Sequence, residues 1–213
     1  MDEIIEKIGI KPYYQEAGGV LYCGDCLEIM KNIPEKSIDL VLTDPPYGLN
    51  KKIHDGGTWA KKSKFDDCLK WDFVISNEYW KTLFNISKNQ IIWGGNYYQF
   101  QPSRCWLVWK KPLFPTMSDA ELAWTSFDHN IKVFDESRNP EGYKEHPTQK
   151  PLSLMKWCFN LFPENDIIID IFSGSGTTLV AAKELGRKWI GVEIEPKYCE
   201  IAKKRLAQEY LKF

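Results

Sequence analysis

The sequence has 213 residues, 43% of them hydrophobic, which is enough for one well-buried α/β domain. Its formal net charge of −1 gives no general support for a nucleic-acid partner, so any such contact must be local. No apolar run approaches the roughly 20 residues of a membrane span, so we expect a soluble protein that does not bind membranes.

Short apolar runs alternate with helical patterns along the chain, which is typical of a mainly parallel sheet covered by helices on both faces. The predicted strands lie at residues 20–22, 38–43, 90–93, 105–109, 120–124, 167–171 and 188–192. The predicted helices lie at residues 77–87, 151–161, 177–185 and 196–210. Two predicted loops, at residues 50–71 and 136–150, flank the chemical motifs described below.

A Cys-x-x-Cys pair, Cys23 and Cys26, follows the first predicted strand. This spacing occurs in redox and zinc motifs, but no second Cys or His pair lies at a zinc-ribbon spacing and no thioredoxin-like pattern surrounds it. No secretory segment precedes the pair. We therefore expect structural, reduced cysteines in a cytoplasmic protein and no metal site.

An acidic corner follows the strand predicted at residues 38–43. There Asp44 precedes Pro45-Pro46-Tyr47, and the two prolines lock the backbone and force Asp44 toward an extended conformation. The carboxyl ends of strands are where open α/β sheets bind ligands. The Asp44 carboxylate and the Pro45 carbonyl can each accept an N–H from an amine on a planar base, on which Tyr47 can stack. A Pro-Pro turn with a capping aspartate and a packed tyrosine is the alternative interpretation.

A lysine-rich loop comes next. Residues 50–64 contain five lysines against one acid, Asp55. Such a loop can bind phosphates and help to extrude a base, although a solvated surface loop explains the composition equally well. The candidate substrate-binding residues in this loop are Lys51, Lys52, Trp59, Lys61 and Lys62.

In the last third of the chain, an apolar strand ending in Asp170 runs into the turn Phe172-Ser173-Gly174-Ser175-Gly176 and then into a helix. Glycines let such a turn approach a ligand, and the next strand ends in Glu193, which can accept hydrogen bonds from both ribose hydroxyls of a nucleoside. Neither G-x-G-x-x-G nor Gly-Lys-Ser/Thr is present, so a nucleoside without phosphates, such as S-adenosylmethionine, is favoured over a diphosphate. Asp170 can then attract the cofactor's ammonium group, and Phe172 can pack against its apolar atoms. The alternative is an ordinary strand–helix turn with a solvated Glu193.

Four motifs in this order resemble the amino-methyltransferases of DNA, in the beta class, where the catalytic tetrapeptide precedes the cofactor motif. They are Asp44-Pro45-Pro46-Tyr47, His146-Pro147-Thr148-Gln149-Lys150-Pro151, Asp170-Ile171-Phe172-Ser173-Gly174-Ser175-Gly176-Thr177-Thr178, and Gly191-Val192-Glu193-Ile194-Glu195 with Tyr198 and Arg205 downstream. The match runs from Gly18 to Arg205. The resemblance implies a single α/β domain over residues 1–213, with a Rossmann-like, seven-stranded, mostly parallel methyltransferase sheet.

The resemblance also implies a site, when the functional residues of the family are carried over to the matching positions of this sequence. The implied catalytic residues are Asp44, Pro45, Pro46 and Tyr47. The implied residues for S-adenosylmethionine are Asp25, Thr148, Lys150, Asp170, Phe172, Ser173, Gly174, Ser175, Gly176, Thr177 and Glu193. Among these, Asp25 would contact the adenine of the cofactor, and Lys150 with Thr148 would close the site from the preceding loop.

The resemblance further implies a DNA substrate and favours N6 of adenine in a flipped-out base, because relatives that modify cytosine N4 more often carry Ser where this chain has Asp44. Residues 127–145 form only a short remnant of the target-recognition segment of relatives. This predicts a short or relaxed recognition sequence, or recognition through residues 50–71. Cytosine N4 methylation and a non-catalytic cofactor- or DNA-binding module are the alternatives. A homodimer and a cognate restriction endonuclease are further partners that the family suggests.

Overall fold

The computed structural model describes residues 1–48, 75–111, 118–135, 150–164 and 166–208. Most of the two predicted loops, at residues 50–71 and 136–150, lies outside these ranges. So do six candidate site residues, namely Lys51, Lys52, Trp59, Lys61, Lys62 and Thr148.

The described part of the chain contains nine strands and six helices. The strands are β1 Tyr14–Glu16, β2 Gly19–Cys23, β3 Ile38–Thr43, β4 Ser87–Trp93, β5 Trp106–Lys110, β6 Ala120–Thr125, β7 Lys132–Asp135, β8 Ile167–Asp170 and β9 Lys188–Glu193. The helices are α1 Asp2–Ile8, α2 Cys26–Met30, α3 Asn77–Ile86, α4 Leu152–Leu161, α5 Thr177–Glu184 and α6 Pro196–Leu206. A short 3-10 turn covers Gly95–Tyr97.

The strands form one sheet in the order β1-β2-β9-β8-β3-β4-β6-β5-β7. The five strands from β2 to β4 in this order are all parallel, with registers such as Cys23 opposite Glu193 and Val41 opposite Ile169. Strand β6 runs antiparallel to both β4 and β5, whereas β7 runs parallel to β5. The carboxyl ends of β2, β9, β8, β3, β4, β5 and β7 therefore lie at one edge of the sheet, and β6 begins at that edge.

Two hydrophobic cores cover the two faces of the sheet. Alternate strand residues point to opposite faces, so Leu40 and Leu42 belong to one core and Val41 to the other. Helices α4, α5 and α6 pack on the first face, and α1, α2 and α3 pack on the second. Both faces of the central strands are buried, which explains why these strands are nearly continuous apolar runs.

All seven predicted strands are present, as β2 to β6, β8 and β9. The implied count of seven is too low, because the described chain adds a strand at each edge. Strand β1 pairs with β2 through a tight turn in which Gly18 has φ 84°, and β7 pairs with β5. Helices α1 and α2 were not predicted either, since both are short. The four predicted helices are present. Three of them differ from the prediction by one residue at one end, and the last ends at Leu206, before the predicted residue 210.

The described cysteines, Cys23 and Cys26 included, are free thiols, and burial raises the pKa of Cys26 well above its ordinary value. Within the described ranges, the structure has no helix whose length and apolar character would let it cross a membrane.

Candidate active site

A row of acids lies along the edge where the parallel strands end. In the spatial order β2, β9, β8 and β3, these ends carry Asp25, Glu193, Asp170 and Asp44. Neighbouring strands lie about 4.8 Å apart, so the row is about 14 Å long. From β3 the chain continues to β4 on one side, and from β8 it continues to β9 on the other. Such a reversal of strand order opens the crevice in which α/β sheets bind ligands.

Asp170 is a buried carboxylate at the centre of this row. Its Oδ1 accepts a hydrogen bond from Thr43 Oγ1 at 2.7 Å and one from the backbone N–H of Phe172 at 3.1 Å. Burial raises the pKa of Asp170 to about 6, although these hydrogen bonds oppose the shift. The Thr43 contact joins β3 to β8, and it thereby couples the acidic corner to the glycine-rich turn.

Glu193 is also buried, which argues against the alternative of a solvated carboxylate. Its Oε2 accepts the N–H of Gly174 and its Oε1 accepts the N–H of Glu195, both at 2.8 Å. Burial raises the pKa of Glu193 to about 7, with the backbone N–H groups acting in the opposite direction. A carboxylate has about four lone-pair sites, so two oxygens held in this way can still accept hydroxyl groups.

The glycine-rich turn is fixed by contacts to the protein behind it. Arg205 Nη1 donates to the carbonyl of Ser175 at 2.7 Å, to its Oγ at 3.1 Å and to Thr177 Oγ1 at 3.0 Å. Ser173 Oγ donates to the carbonyl of Val192 at 3.0 Å. The three predicted cofactor side chains Ser173, Ser175 and Thr177 therefore define the shape of the turn.

Gly176 has a packing role in the same turn. Its φ is 79°, and a Cβ at this position would lie 2.9 Å from Cβ of Ala202 on α6. Glycine is thus required for the close approach of α6 as well as for the left-handed backbone. Phe172, the remaining predicted member of the turn, is half-buried against the core on the other face.

Asp25 lies at the far end of the row. Its Oδ1 accepts the N–H of Leu27 at 2.7 Å and thereby caps α2. The hydroxyl of Tyr79 donates to the same carboxylate, at 3.1 Å to Oδ1. Asp25 is exposed and follows β2 directly beside the end of β9, so it is held next to Glu193 and open to a ligand.

The acidic corner after β3 is braced by aromatic side chains. Tyr47 donates its hydroxyl to Asp44 Oδ1, and Tyr98 donates its hydroxyl to the carbonyl of Pro46. The ring of Tyr97 stacks on that of Tyr47, with centroids 4.9 Å apart and an interplanar angle of 28°. Gly94 has φ 67°, and a Cβ there would lie 1.9 Å from Cε1 of Tyr47. Gly94 therefore lets β4 end directly against the Tyr47 ring.

Lys150 binds to this corner as well. Its Nζ contacts Asp44 Oδ2 and lies 3.1 Å from Glu121 Oε2, while Glu121 Oε1 contacts Nζ of Lys111. The sequence predicts that Lys150 closes the cofactor site. The structure places its ammonium group on the acid of the tetrapeptide, at the β3 end of the row.

The sequence patterns did not identify several residues that build this site, namely Thr43, Tyr98, Glu121 and Lys111. Two signals were available. A single charged residue, Glu121, begins an otherwise apolar strand, and a Lys-Lys pair ends the aromatic run of β5. The Gly94-Gly95 pair after β4, in contrast, does predict from the sequence that the backbone comes close to a ligand there.

The carboxylates that line the crevice fit S-adenosylmethionine. Its sulfonium and ammonium groups are cationic, and four carboxylates line the row, which would repel a phosphate. The two buried acids, Asp170 and Glu193, are the ones whose pKa values are raised by desolvation, so a cationic ligand would restore favourable interactions for their charged forms.

Comparisons with known proteins identify the family of the chain. A family model described as "DNA methylase" matches residues 104–204. Type II methyltransferase M.HinfI of Haemophilus influenzae is 31% identical, over 87% of this chain and 67% of its own length. DNA adenine methyltransferase YhdJ of Escherichia coli (strain K12) is 27% identical, over 94% of this chain and 87% of its own length.

Solved structures share the fold. The PvuII DNA methyltransferase, named as cytosine-N4-specific, superposes with a TM-score of 0.67 at 21% identity and covers 96% of this chain, with 92% of its own chain matched. The M1.HpyAVI complex with S-adenosylmethionine gives a TM-score of 0.56 at 24% identity, covering 88% of this chain and 98% of its own. By its sequence relatives and by its fold, the chain belongs to the S-adenosylmethionine-dependent N6/N4 amino-methyltransferases of DNA.

Proposed function

We propose that this protein transfers the methyl group of S-adenosylmethionine to N6 of adenine in DNA, on a base that is flipped out of the duplex. The observation that carries the proposal is the continuity of the site. Asp44 follows Thr43, whose hydroxyl is 2.7 Å from Asp170 Oδ1, so a target held at Asp44 lies next to a cofactor held at Asp170.

The cofactor would lie along the row of acids. Asp25 would contact its adenine, Glu193 its ribose hydroxyls and Asp170 its ammonium group. The backbone of the turn at Gly174 would approach it without a side chain in between. The sulfonium group supplies an electrophilic methyl carbon, so the protein has to provide position and electrostatics more than acid–base chemistry.

The target amine would be activated at the corner. An exocyclic amine is a poor nucleophile, because its lone pair is delocalised into the ring. When Asp44 Oδ2 and the Pro45 carbonyl each accept one N–H, the lone pair is directed out of the ring plane and toward the methyl carbon. The new N–C bond forms as the S–C bond breaks, and the extra proton on nitrogen passes to solvent. Tyr47 would hold the base by stacking, in the place where Tyr97 stacks now.

The choice of adenine is supported by the aspartate at position 44 and by the name of YhdJ, a DNA adenine methyltransferase. Cytosine N4 is the second candidate, since the PvuII enzyme with the same fold is named as cytosine-N4-specific. Both amines would meet the same two acceptors, so the mechanism is common to the two targets.

DNA would be bound largely by residues outside the described ranges. We assign the lysine-rich loop at residues 50–71 to phosphate contacts and the short segment at residues 127–145 to what remains of target recognition. Thr148 would join the cofactor site from the loop before Lys150. M.HinfI is named as a type II methyltransferase, which supports a cognate restriction endonuclease as a partner in the same system, and the family suggests a homodimer.

The proposal is tested by incubating the protein with unmethylated DNA and methyl-labelled S-adenosylmethionine, then digesting the DNA to nucleosides for mass spectrometry. We expect the label in N6-methyladenine. Label in N4-methylcytosine would overturn the choice of base while leaving the mechanism intact. No label in DNA, from protein that binds the cofactor, would overturn the proposal.

A further inference from the structure

A chain of alternating charges leads away from the acidic corner. It runs from Asp44 to Lys150, from Lys150 to Glu121, and from Glu121 to Lys111. The two lysine side chains are 7% and 4% exposed, and the two acids are about a quarter exposed, at 24% and 26%. Lysines are almost never buried to this extent unless they are paired, and each of these two ammonium groups contacts at least one of the two acids.

The topology of the sheet explains why these charged residues lie next to the site. Strand β6 runs antiparallel to β4, so its first residues, including Glu121, lie at the edge where the parallel strands end. Strand β5 ends at the same edge, and Lys111 follows it directly opposite Asp119, whose carbonyl accepts the Lys111 N–H at 2.8 Å. Strands β6 and β5 thus place one acid, Glu121, and one lysine, Lys111, next to the corner that follows β3.

These charged residues affect Asp44, the acceptor that the target amine needs. Asp44 Oδ1 accepts the hydroxyl of Tyr47, and Asp44 Oδ2 accepts the ammonium group of Lys150. An ammonium group is a donor of the same kind as the amine of a base, and its charge makes it the stronger one. The target amine must therefore compete with Lys150 for Asp44 Oδ2, because an oxygen that already binds an ammonium group is a weaker acceptor for a second donor.

We propose that Glu121 is a positioning residue of the methyl transfer, acting through Lys150. In the base-free protein Lys150 occupies the amine position on Asp44, and Glu121, already 3.1 Å from Lys150 Nζ, takes over the ammonium group when the base enters. Without a second acceptor, the buried ammonium group of Lys150 would stay on Asp44, because moving away would leave its charge unpaired. This inference rests on the proposed role of Asp44 as the acceptor of the target amine.

The first test is E121Q, which removes the charge of the second acceptor and keeps its shape. We expect kcat for methyl transfer to unmethylated DNA to fall by at least about tenfold, the loss typical of one hydrogen bond to a charged group. The dissociation constant for S-adenosylmethionine should stay the same within about twofold, because Glu121 lies beyond β4 and away from the cofactor row.

Two double variants separate this role from a structural one. E121Q/K111M also removes Lys111, the other lysine that contacts Glu121. The buried charge that E121Q deprives of this carboxylate is then gone, so the double variant should be more thermally stable than E121Q, without recovering kcat. E121Q/K150M removes the group that occupies Asp44, so it should transfer methyl groups faster than E121Q. The inference would be overturned if E121Q/K111M recovered both stability and kcat, or if E121Q/K150M transferred methyl groups no faster than E121Q.

The D44A variant keeps this test distinct from that of the proposed function. If D44A abolishes transfer while E121Q behaves like the unmodified protein, only the role of Glu121 fails. If D44A still transfers methyl groups to DNA, the proposed function of the corner fails first.

Discussion

The acids along the strand ends are of two kinds, distinguished by what surrounds each carboxylate. Asp170 and Glu193 are buried, and their raised pKa values reflect the loss of water around the charged form. Asp44 keeps about a quarter of its side chain exposed and is bound by the donors of Tyr47 and Lys150. The buried pair suits a cationic ligand, and the more open acid suits a base that enters from outside the crevice.

The raised pKa of Glu193, about 7, predicts a pH dependence of cofactor binding. In the proposed binding mode the ribose hydroxyls would donate to the ionised carboxylate, so binding below pH 7 would first have to remove a proton. We expect the affinity for S-adenosylmethionine to fall as the pH is lowered from 8 to 6, by up to about tenfold per unit once Glu193 is protonated. Equilibrium dialysis across this range measures it.

The same group should affect folding with the opposite sign. Because the folded-state pKa lies above the unfolded value, the stability that Glu193 contributes is present at low pH and is lost as the pH rises from about 4.5 to about 7. E193Q should remove the change near pH 7 from both profiles and leave the contribution of Asp170, whose raised pKa is about 6, while E28Q, at an exposed position on α2, should change neither. A cofactor affinity that is constant between pH 6 and 8 in the unmodified protein would contradict this account.

At the scale of elements, the ends of β4 and of α6 set the geometry of the two halves of the site. The end of β4 passes so close to Tyr47 that only glycine fits at position 94. Helix α6 sends Arg205 back to the turn before α5, where one guanidinium nitrogen holds Ser175 and Thr177. Each contact belongs to one half, so the two halves can be perturbed separately.

G94A should disable the target half alone. The added Cβ would lie 1.9 Å from the ring of Tyr47, and φ 67° is unfavourable for alanine, so the ring has to move. We expect methyl transfer to fall by at least about tenfold while cofactor affinity is kept, given strain of about 1–3 kcal/mol at such a position. G18A is the matched control, because Gly18 has φ 84° with no atom within 4 Å of the added Cβ. Equal reductions in the two variants would refute a specific contact with Tyr47.

R205M should disable the cofactor half. Without the charged donor, the carbonyl and hydroxyl of Ser175 and the hydroxyl of Thr177 are released, so the turn no longer has a fixed shape. We expect the dissociation constant for S-adenosylmethionine to rise by about tenfold, in line with one or two hydrogen bonds to a charged group. K204M, one residue earlier and with a side chain that is 72% exposed, should leave the constant unchanged. Isothermal titration calorimetry distinguishes these outcomes.

At the scale of the whole molecule, the net charge of −1 and the row of acids mean that DNA must be attracted by a localised group of lysines. The lysine-rich loop at residues 50–71 follows the acidic corner directly in the sequence, which is why we assign phosphate contacts to it. The cofactor crevice itself would repel DNA phosphates, so only a base extruded from the duplex is expected to enter it.

K61A/K62A tests this assignment. Removing each lysine that neutralises a phosphate should reduce the slope of log affinity against log salt concentration by about 0.9, so we expect a reduction of up to about 1.8 together with weaker DNA binding. The control K88A/K188A removes the same charge from the first residues of β4 and β9, at the opposite edge of the sheet, and should leave the slope unchanged. Fluorescence anisotropy with labelled duplex DNA at several salt concentrations decides between them.

The sequence predicts the central sheet because buried parallel strands are nearly continuous apolar runs bounded by turn residues. It does not predict β1 and β7, since three- and four-residue edge strands with exposed positions carry no such pattern. The acids at the strand ends follow from motifs in the chain. The pairing of Lys150 with Asp44 and Glu121 does not, because it depends on the antiparallel register of β6 and on contacts between residues distant in sequence.

We propose that the corner after β3 and the crevice at β8 and β9 form one active site, in which Asp44 serves the target and not the cofactor. The most direct test compares D44A with the unmodified protein in two measurements, cofactor binding by equilibrium dialysis and transfer of labelled methyl groups to unmethylated DNA. D128A, which removes an exposed acid paired with Arg104, is the control. We predict that D44A binds S-adenosylmethionine normally and transfers no label, whereas D128A does both. Transfer by D44A at the unmodified rate would contradict the account.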